Sequence, residues 1–169
     1  GAEASKKSEA FLGYDEKFLY IGFRAYDEPE KIRATVVQRD NVFNEDNFRV
    51  FLDTYNDERR GYLLAFNPLG IQADGIYTDG VTNGNDTDMN VDILMESKGV
   101  ILPDGWSVEV KVPFKSLRYT VGKGKMWGIH IMRNIDLLND ELDTLMPINR
   151  NINGFLKQAG KITGLDDIK

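Results

Sequence analysis

The clearest pattern in the chain is a series of short stretches in which apolar and polar residues alternate with a period of two. From Phe48 to Asp53, the residues Phe48, Val50 and Leu52 fall on one side and Arg49, Phe51 and Asp53 on the other, which marks a half-buried β-strand. The cluster 56–61 (NDERRG) separates it from Tyr62–Phe66, and Asn67-Pro68-Leu69-Gly70 separates that run from Ile71–Tyr77. Gly, Asn and Pro supply the backbone angles of tight turns, so these three stretches are predicted as a β-meander. Upstream, Phe11–Tyr14 and Phe18–Tyr26 flank Asp15-Glu16-Lys17 as a hairpin, and the second strand, apolar on both sides up to Gly22, is predicted to be central. Downstream, Trp106, Val108, Val110 and Val112 alternate with Ser107, Glu109 and Lys111. Ile93–Val100, Trp127–Ile135 and Lys161–Gly164 are predicted as further strands, Pro29–Val36 as a short helix and Phe114–Tyr119 as one 3₁₀ or helical turn. With no sustained 3.6-residue periodicity and no internal repeat, the expectation is an all-β domain, an antiparallel β-sandwich.

A length of 169 residues fits one domain with a proper core and is short for two. The net charge of -6, with Lys and Arg scattered, gives no basic stripe to neutralise phosphates, so no nucleic-acid partner is expected. No window approaches the roughly 20 apolar residues of a membrane-spanning helix, so no direct membrane insertion is expected. The absence of cysteine excludes disulfides, thiol nucleophiles and thiolate metal sites. Residues 1–8 are expected to be disordered or vector-derived, 9–165 to form the sandwich, and 166–169 to begin a linker to a C-terminal region.

Catalytic chemistry finds little support. The single histidine, His130, lies inside a strand, and there is no G-x-S-x-G motif. Glu96 and Glu109 fall at polar or terminal strand positions and do not form a recognisable acid–base pair. Asp86, Asp88, Asn90 and Asp92 alternate in the loop 79–92, as in the start of an oxygen-ligand calcium loop. Val91 and Ser97 stand where an EF-hand needs Gly and Glu, which leaves a looser calcium site as the alternative to plain turn chemistry. The aromatics point to sugars, whose C–H faces stack on rings while polar side chains read the hydroxyls. Trp106 and Trp127 are in register with apolar neighbours and read as core, whereas Phe43 stands alone in the polar loop 40–47.

The strings 14–27 (YDEKFLYIGFRAYD), 44–75 (NEDNFRVFLDTYNDERRGYLLAFNPLGIQADG), 104–119 (DGWSVEVKVPFKSLRY) and 127–135 (WGIHIMRNI) resemble the family 9 carbohydrate-binding-module-like domain. The version they resemble stands at the front of bacterial outer-membrane and secreted proteins with a β-rich region behind it, and 151–165 is similar to the hand-over to that region. The resemblance implies a jelly-roll-like sandwich, a saccharide ligand, no catalysis, and an exported, periplasmic, outer-membrane-associated or extracellular setting. Better-known members grip a terminal sugar between two tryptophans. Here Phe43 stands near the place of the first, and Thr144-Leu145-Met146-Pro147 offers no aromatic at the second. Arg49 falls where an acidic sugar contact is expected. Phe43, Arg49, Asn67, Gln72 and Arg133 are therefore the expected saccharide contacts. Two alternatives go with the same sandwich: a structural domain that docks a following outer-membrane β-barrel, and a haem-binding electron-transfer domain. For the latter, Met89, Met126, Met132 and His130 are the candidate ligands. His130 and Met132 share one strand face about 7 Å apart, too close in direction to take opposite sides of one haem.

Overall fold

The computed structural model describes residues 4–81, 84, 86–138, 140–146, 148, 154–165 and 168. Two antiparallel sheets face each other. The smaller contains β1 (Ser8–Tyr14), β2 (Phe18–Tyr26), β7 (Glu96–Leu102) and β8 (Gly105–Pro113), in the order β1-β2-β8-β7. The larger contains β3 (Asn47–Asp53), β4 (Arg60–Phe66), β5 (Gln72–Thr78), β6 (Thr87–Asp88), β9 (Trp127–Ile135), β10 (Glu141–Thr144) and β11 (Gly160–Ile162). Its order is β10-β9-β3-β4-β5-β6, with β11 also against β9. This is the expected all-β sandwich, and β2 is central in its sheet, between β1 and β8.

The period-two rows meet in one core. Leu19, Ile21, Phe23 and Ala25 of β2 and Trp106, Val108, Val110 and Val112 of β8 pack on Phe48, Val50 and Leu52 of β3, Leu64 and Phe66 of β4, and Trp127, Ile129 and Ile131 of β9. Phe23 stacks on Phe48 at 4.3 Å between ring centroids, and Trp106 and Phe66 lean on the same pair. Both tryptophans are fully buried, and burial of rings of this size dominates a core of sandwich thickness. At the turn after β4, Gly70 takes a φ of 80° and lies against Gly99 of β7: a Cβ on Gly70 would strike the Gly99 backbone, and one on Gly99 the Pro68 carbonyl.

Several expectations change. The helix expected over Pro29–Val36 is a 3₁₀ turn at Pro29–Lys31 followed by irregular chain, in keeping with its lack of side-chain caps. The loop 79–92 contains the two-residue β6, and the stretch after Ile135 contains β10. The start of the chain is tied down from Ser5: its hydroxyl donates to Glu141 at 2.6 Å, and the Lys7 carbonyl accepts from the Tyr26 amide at 2.9 Å. Residues 1–3 lie outside the described set. Near the other end, Leu165 and Ile168 are buried in the main core. β3 is buried on both faces rather than one, because two segments cover its outer side. Val42, in the loop before β3, drops onto Ala65 and Ala73, and Leu156 drops onto Phe51 and Leu63.

Arg133, expected to read sugar hydroxyls, is a bolt between the sheets. It is fully buried on β9 and donates to the carbonyls of Lys7 and Tyr26, both at 3.1 Å, to Ser8 Oγ at 3.2 Å and to Asp27 Oδ2 at 3.4 Å. A guanidinium in that position replaces the hydration lost by several buried backbone acceptors at once.

Candidate functional site

The outer face of the larger sheet carries what the period-two rule assigns to the other side of each strand: Arg49 and Phe51 from β3, Leu63 from β4, Tyr77 from β5, His130 and Met132 from β9. Phe51, Tyr77 and Phe155 form a trio of edge-on rings, with centroids 4.9 to 5.6 Å apart. Phe155 also stacks on His130 at 4.1 Å. Asp79 ties the segment that carries Phe155 to β5, accepting from the Tyr77 hydroxyl at 3.1 Å and the Leu156 amide at 2.9 Å.

Phe43 and Arg49 lie at the rim of this patch. The half-buried Phe43 ring touches both the Val42 cluster and the Phe51 cluster. The Arg49 guanidinium lies over that ring at 4.9 Å, with Nε donating to Asn47 Oδ1 at 3.1 Å. Among the described residues its two terminal nitrogens have no hydrogen-bond partner. Burial lowers the Arg49 pKa and the Asp140 carboxylate opposes that shift; an arginine remains charged regardless. The result is a ring with a partly desolvated, partly unpaired cation beside it.

The other expected contacts are structural. Asn67 is fully buried and saturated: its amide donates to the Thr35 carbonyl at 3.1 Å and to Glu45 Oε1 at 2.8 Å, while its oxygen accepts from the amides of Leu69 and Ile71. Gln72 donates to the Met95 carbonyl and Ser97 Oγ and accepts from Arg39 at 2.9 Å, bridging the larger sheet to β7. So of the five, Phe43 and Arg49 are brought together, and Asn67, Gln72 and Arg133 serve the framework. The rings of Phe155 and Tyr77 are the additions. Tyr77 was legible as the off-phase residue of its strand, and Phe155 as the one Phe, Tyr or Trp in the sequence after Trp127.

The alternating set Asp86, Asp88, Asn90 and Asp92 does not converge. Asp88 Oδ1 accepts from the Asn90 amide and side chain, and Asp86 pairs locally with Thr87. Asp92 instead joins Asp40 and Asp74, with one oxygen of each within 4.8 Å of the others. Those three carboxylates already hold a cation: Arg39 Nη2 is 2.6 Å from Asp74 Oδ2 and its Nε is 3.9 Å from Asp92. The haem alternative also loses its ligand. His130 is fully buried, its Nε2–H donates to the Phe155 carbonyl at 2.8 Å, and burial lowers its pKa. An open groove of about 440 Å³ beside β10 is lined by Ser5, Lys6, Ser8, Asp143, Thr144 and Leu145, with no aromatic ring to stack a ligand. Pro147 lies outside the described residues; Thr144 to Met146 bring no ring to the Phe43 rim.

Two antiparallel layers in this strand order define a β-sandwich, the fold that family 9 carbohydrate-binding modules share. Among solved structures the chain is similar to a family 9 carbohydrate-binding module from Caldicellulosiruptor kristjanssonii. In complexes with glucose and with cellotriose, that module gives a TM-score of 0.63 at 18% identity over 95% of this chain, and 77% and 75% of the module's chain respectively. A proposed carbohydrate-binding protein from Bacteroides uniformis gives 0.67 at 15% identity, over 92% of this chain and 77% of that one. At such identities the likeness establishes a family 9-like fold. No protein-family model and no curated sequence matches the chain.

Proposed function

We propose that this chain is a non-catalytic carbohydrate-binding module whose seat is the rim formed by Phe43 and Arg49. The observation that carries the reading is the Arg49 guanidinium held over a half-buried ring, its terminal nitrogens unpaired among the described residues. An axial C–H face of a sugar would lie on the exposed part of Phe43, and the guanidinium would donate to adjacent hydroxyls in a setting poorer in water than the open surface. The fold likeness to modules whose structures hold glucose and cellotriose supports a β-glucan-type ligand. The parent would be a larger exported bacterial protein of glycan capture or breakdown, with a C-terminal region behind this domain.

One ring without a facing second ring predicts weak binding, roughly millimolar to tens of micromolar. The test is a glycan array followed by calorimetry on the strongest hit, with Phe43→Ala and Arg49→Met. Each variant is expected to lower affinity at least about fivefold, with Phe43→Ala costing no more than about 2 kcal/mol of stability because its ring is only half buried. An array without hits, or variants that bind as the parent does, would overturn the reading and favour a docking role for the domain.

A further inference from the structure

The fold treats its arginines unequally. Arg24, Arg39 and Arg133 each meet a carboxylate, those of Asp104, Asp74 and Asp27 respectively. Arg49, half-buried on β3, is given only an amide oxygen and a ring. Its Nε donates to Asn47 Oδ1 at 3.1 Å, and its guanidinium stands 4.9 Å from the centroid of Phe43. Among the described residues no carboxylate is in contact with it; that of Asp140 acts on its charge from further off. A cation drawn partly out of water without an anion is a cost to the fold. A ligand that brings the anion recovers it.

The free part of the guanidinium has a shape. With Nε committed to Asn47, the open end is the pair of terminal nitrogens, whose parallel N–H bonds match the two oxygens of one carboxylate. That end is reachable. Arg49, Met132 and Thr144 lie side by side in register across β3, β9 and β10, the first two half-buried and Thr144 exposed. The segments that cover the outer face fall on other residues: Val42 on Ala65 and Ala73, and Leu156 on Phe51 and Leu63.

We infer that the sugar residue held at this rim is a hexuronate, a pyranose whose C6 is a carboxylate, carried by a glycan chain. The inference rests on the saccharide reading above and names the class of sugar for that seat. With its C–H face on the exposed part of Phe43, such a sugar projects its carboxylate from the edge of the ring, toward a cation standing beside the aromatic. A vicinal diol of a neutral sugar can span the same two nitrogens, but a carboxylate adds the attraction of opposite charges to the same pair of hydrogen bonds. Half-burial strengthens that attraction relative to the open surface. Asp140 works against an incoming anion. It is exposed, so its repulsion is weak and screened by salt.

The test compares methyl β-glucuronide with methyl β-glucoside, titrated into the whole chain and followed by amide chemical shifts in NMR, a readout suited to millimolar affinities. The glucuronide is expected to bind at least about tenfold more tightly at 20 mM salt, and the advantage should shrink at 500 mM. Arg49→Gln, which keeps a polar side chain and removes the charge, should abolish the advantage. Arg49→Lys, which keeps the charge and loses the fork, should retain only part of it. Asp140→Asn should raise affinity for the glucuronide more than for the glucoside, roughly twofold or more. Propionate, a carboxylate without a sugar face, should bind at least about tenfold more weakly than the glucuronide. Thermal melts of each variant confirm that it is folded. Equal affinities for the two glycosides, or an advantage that survives Arg49→Gln, would overturn the inference and leave the saccharide seat standing. Propionate binding as tightly as the glucuronide would overturn it in favour of a bare anion site. Shifts at Phe43 with neither glycoside would overturn nothing less than the seat itself only if absent throughout, in which case both readings fall together.

Discussion

Asp46 offers the sharpest test of how this fold is held together. It is 1% exposed at the base of β3, where Oδ1 accepts from the Asp136 amide at 2.9 Å and Oδ2 has no partner. Burial pushes its pKa from the ordinary 3.8 up to about 6, against the pull of the Asp136 and Arg33 backbone amides and of the Arg133 charge. The folded state therefore holds a proton that the unfolded chain has released between pH 3.8 and 6, and Asp46 lowers stability as pH rises through that window. A displacement of about two units corresponds to about 3 kcal/mol at neutral pH. Asp46→Asn keeps the acceptor for the Asp136 amide and removes the charge. The difference in melting temperature between variant and parent should be near zero at pH 4, grow to about 6–12 °C by pH 7, and stay level above. Taking the difference matters, because buried His130 changes stability in the opposite sense: its lowered pKa costs stability as pH falls below its unfolded value. Differential scanning fluorimetry from pH 4 to 8 supplies the data. A variant–parent difference independent of pH would refute the placement of an uncompensated carboxylate there.

Two more outcomes follow from other buried groups. Arg133→Met should cost about 3–5 kcal/mol, because the buried Asp27 carboxylate loses its guanidinium and the carbonyls of Lys7 and Tyr26 each lose one donor; urea denaturation measures it, and a loss below 1 kcal/mol would remove the bolt from the account. Calcium at 1 mM should leave the melting temperature unchanged, since Arg39 already fills the site among Asp40, Asp74 and Asp92; Arg39→Met should convert that trio into a site whose occupancy raises the melting temperature.

Most of the sandwich was legible because its strands obey a local rule. Trp127–Ile135 is a strand over the residues read from the alternation, and Trp106 and Trp127 are core because they share phase with Val108 and Ile129. What escaped is what the local rule cannot see. β6 has two residues and too little pattern to detect. β10 reads as acidic loop until Glu141 to Thr144 are laid against Ile135 to Met132. The polar contacts failed for a related reason: Asn67, Gln72 and Arg133 are polar residues beside strands, the property expected of ligand contacts. A buried framework needs the same chemistry to satisfy its backbone, and only the three-dimensional list of partners separates the two uses. Phe43 and Arg49 are six residues apart in sequence, but their contact depends on how the loop folds back.

The double burial of β3 has a consequence for affinity. A sheet whose outer face were bare would offer a sugar a wide platform, but here Val42, Phe155 and Leu156 of the chain itself lie on that face. Phe51, the β3 ring of the trio, is 7% exposed and already meets Tyr77 and Phe155. The rings that give the face its aromatic character are therefore spent on one another, and only the rim remains for a ligand. A small seat limits how much apolar sugar surface can leave water. That makes glycan chain length the variable to vary: calorimetry on a series of oligosaccharides should show affinity levelling off once the glycan is longer than one ring and one guanidinium can span. An affinity that keeps rising with chain length would show that more of this face than the rim takes part.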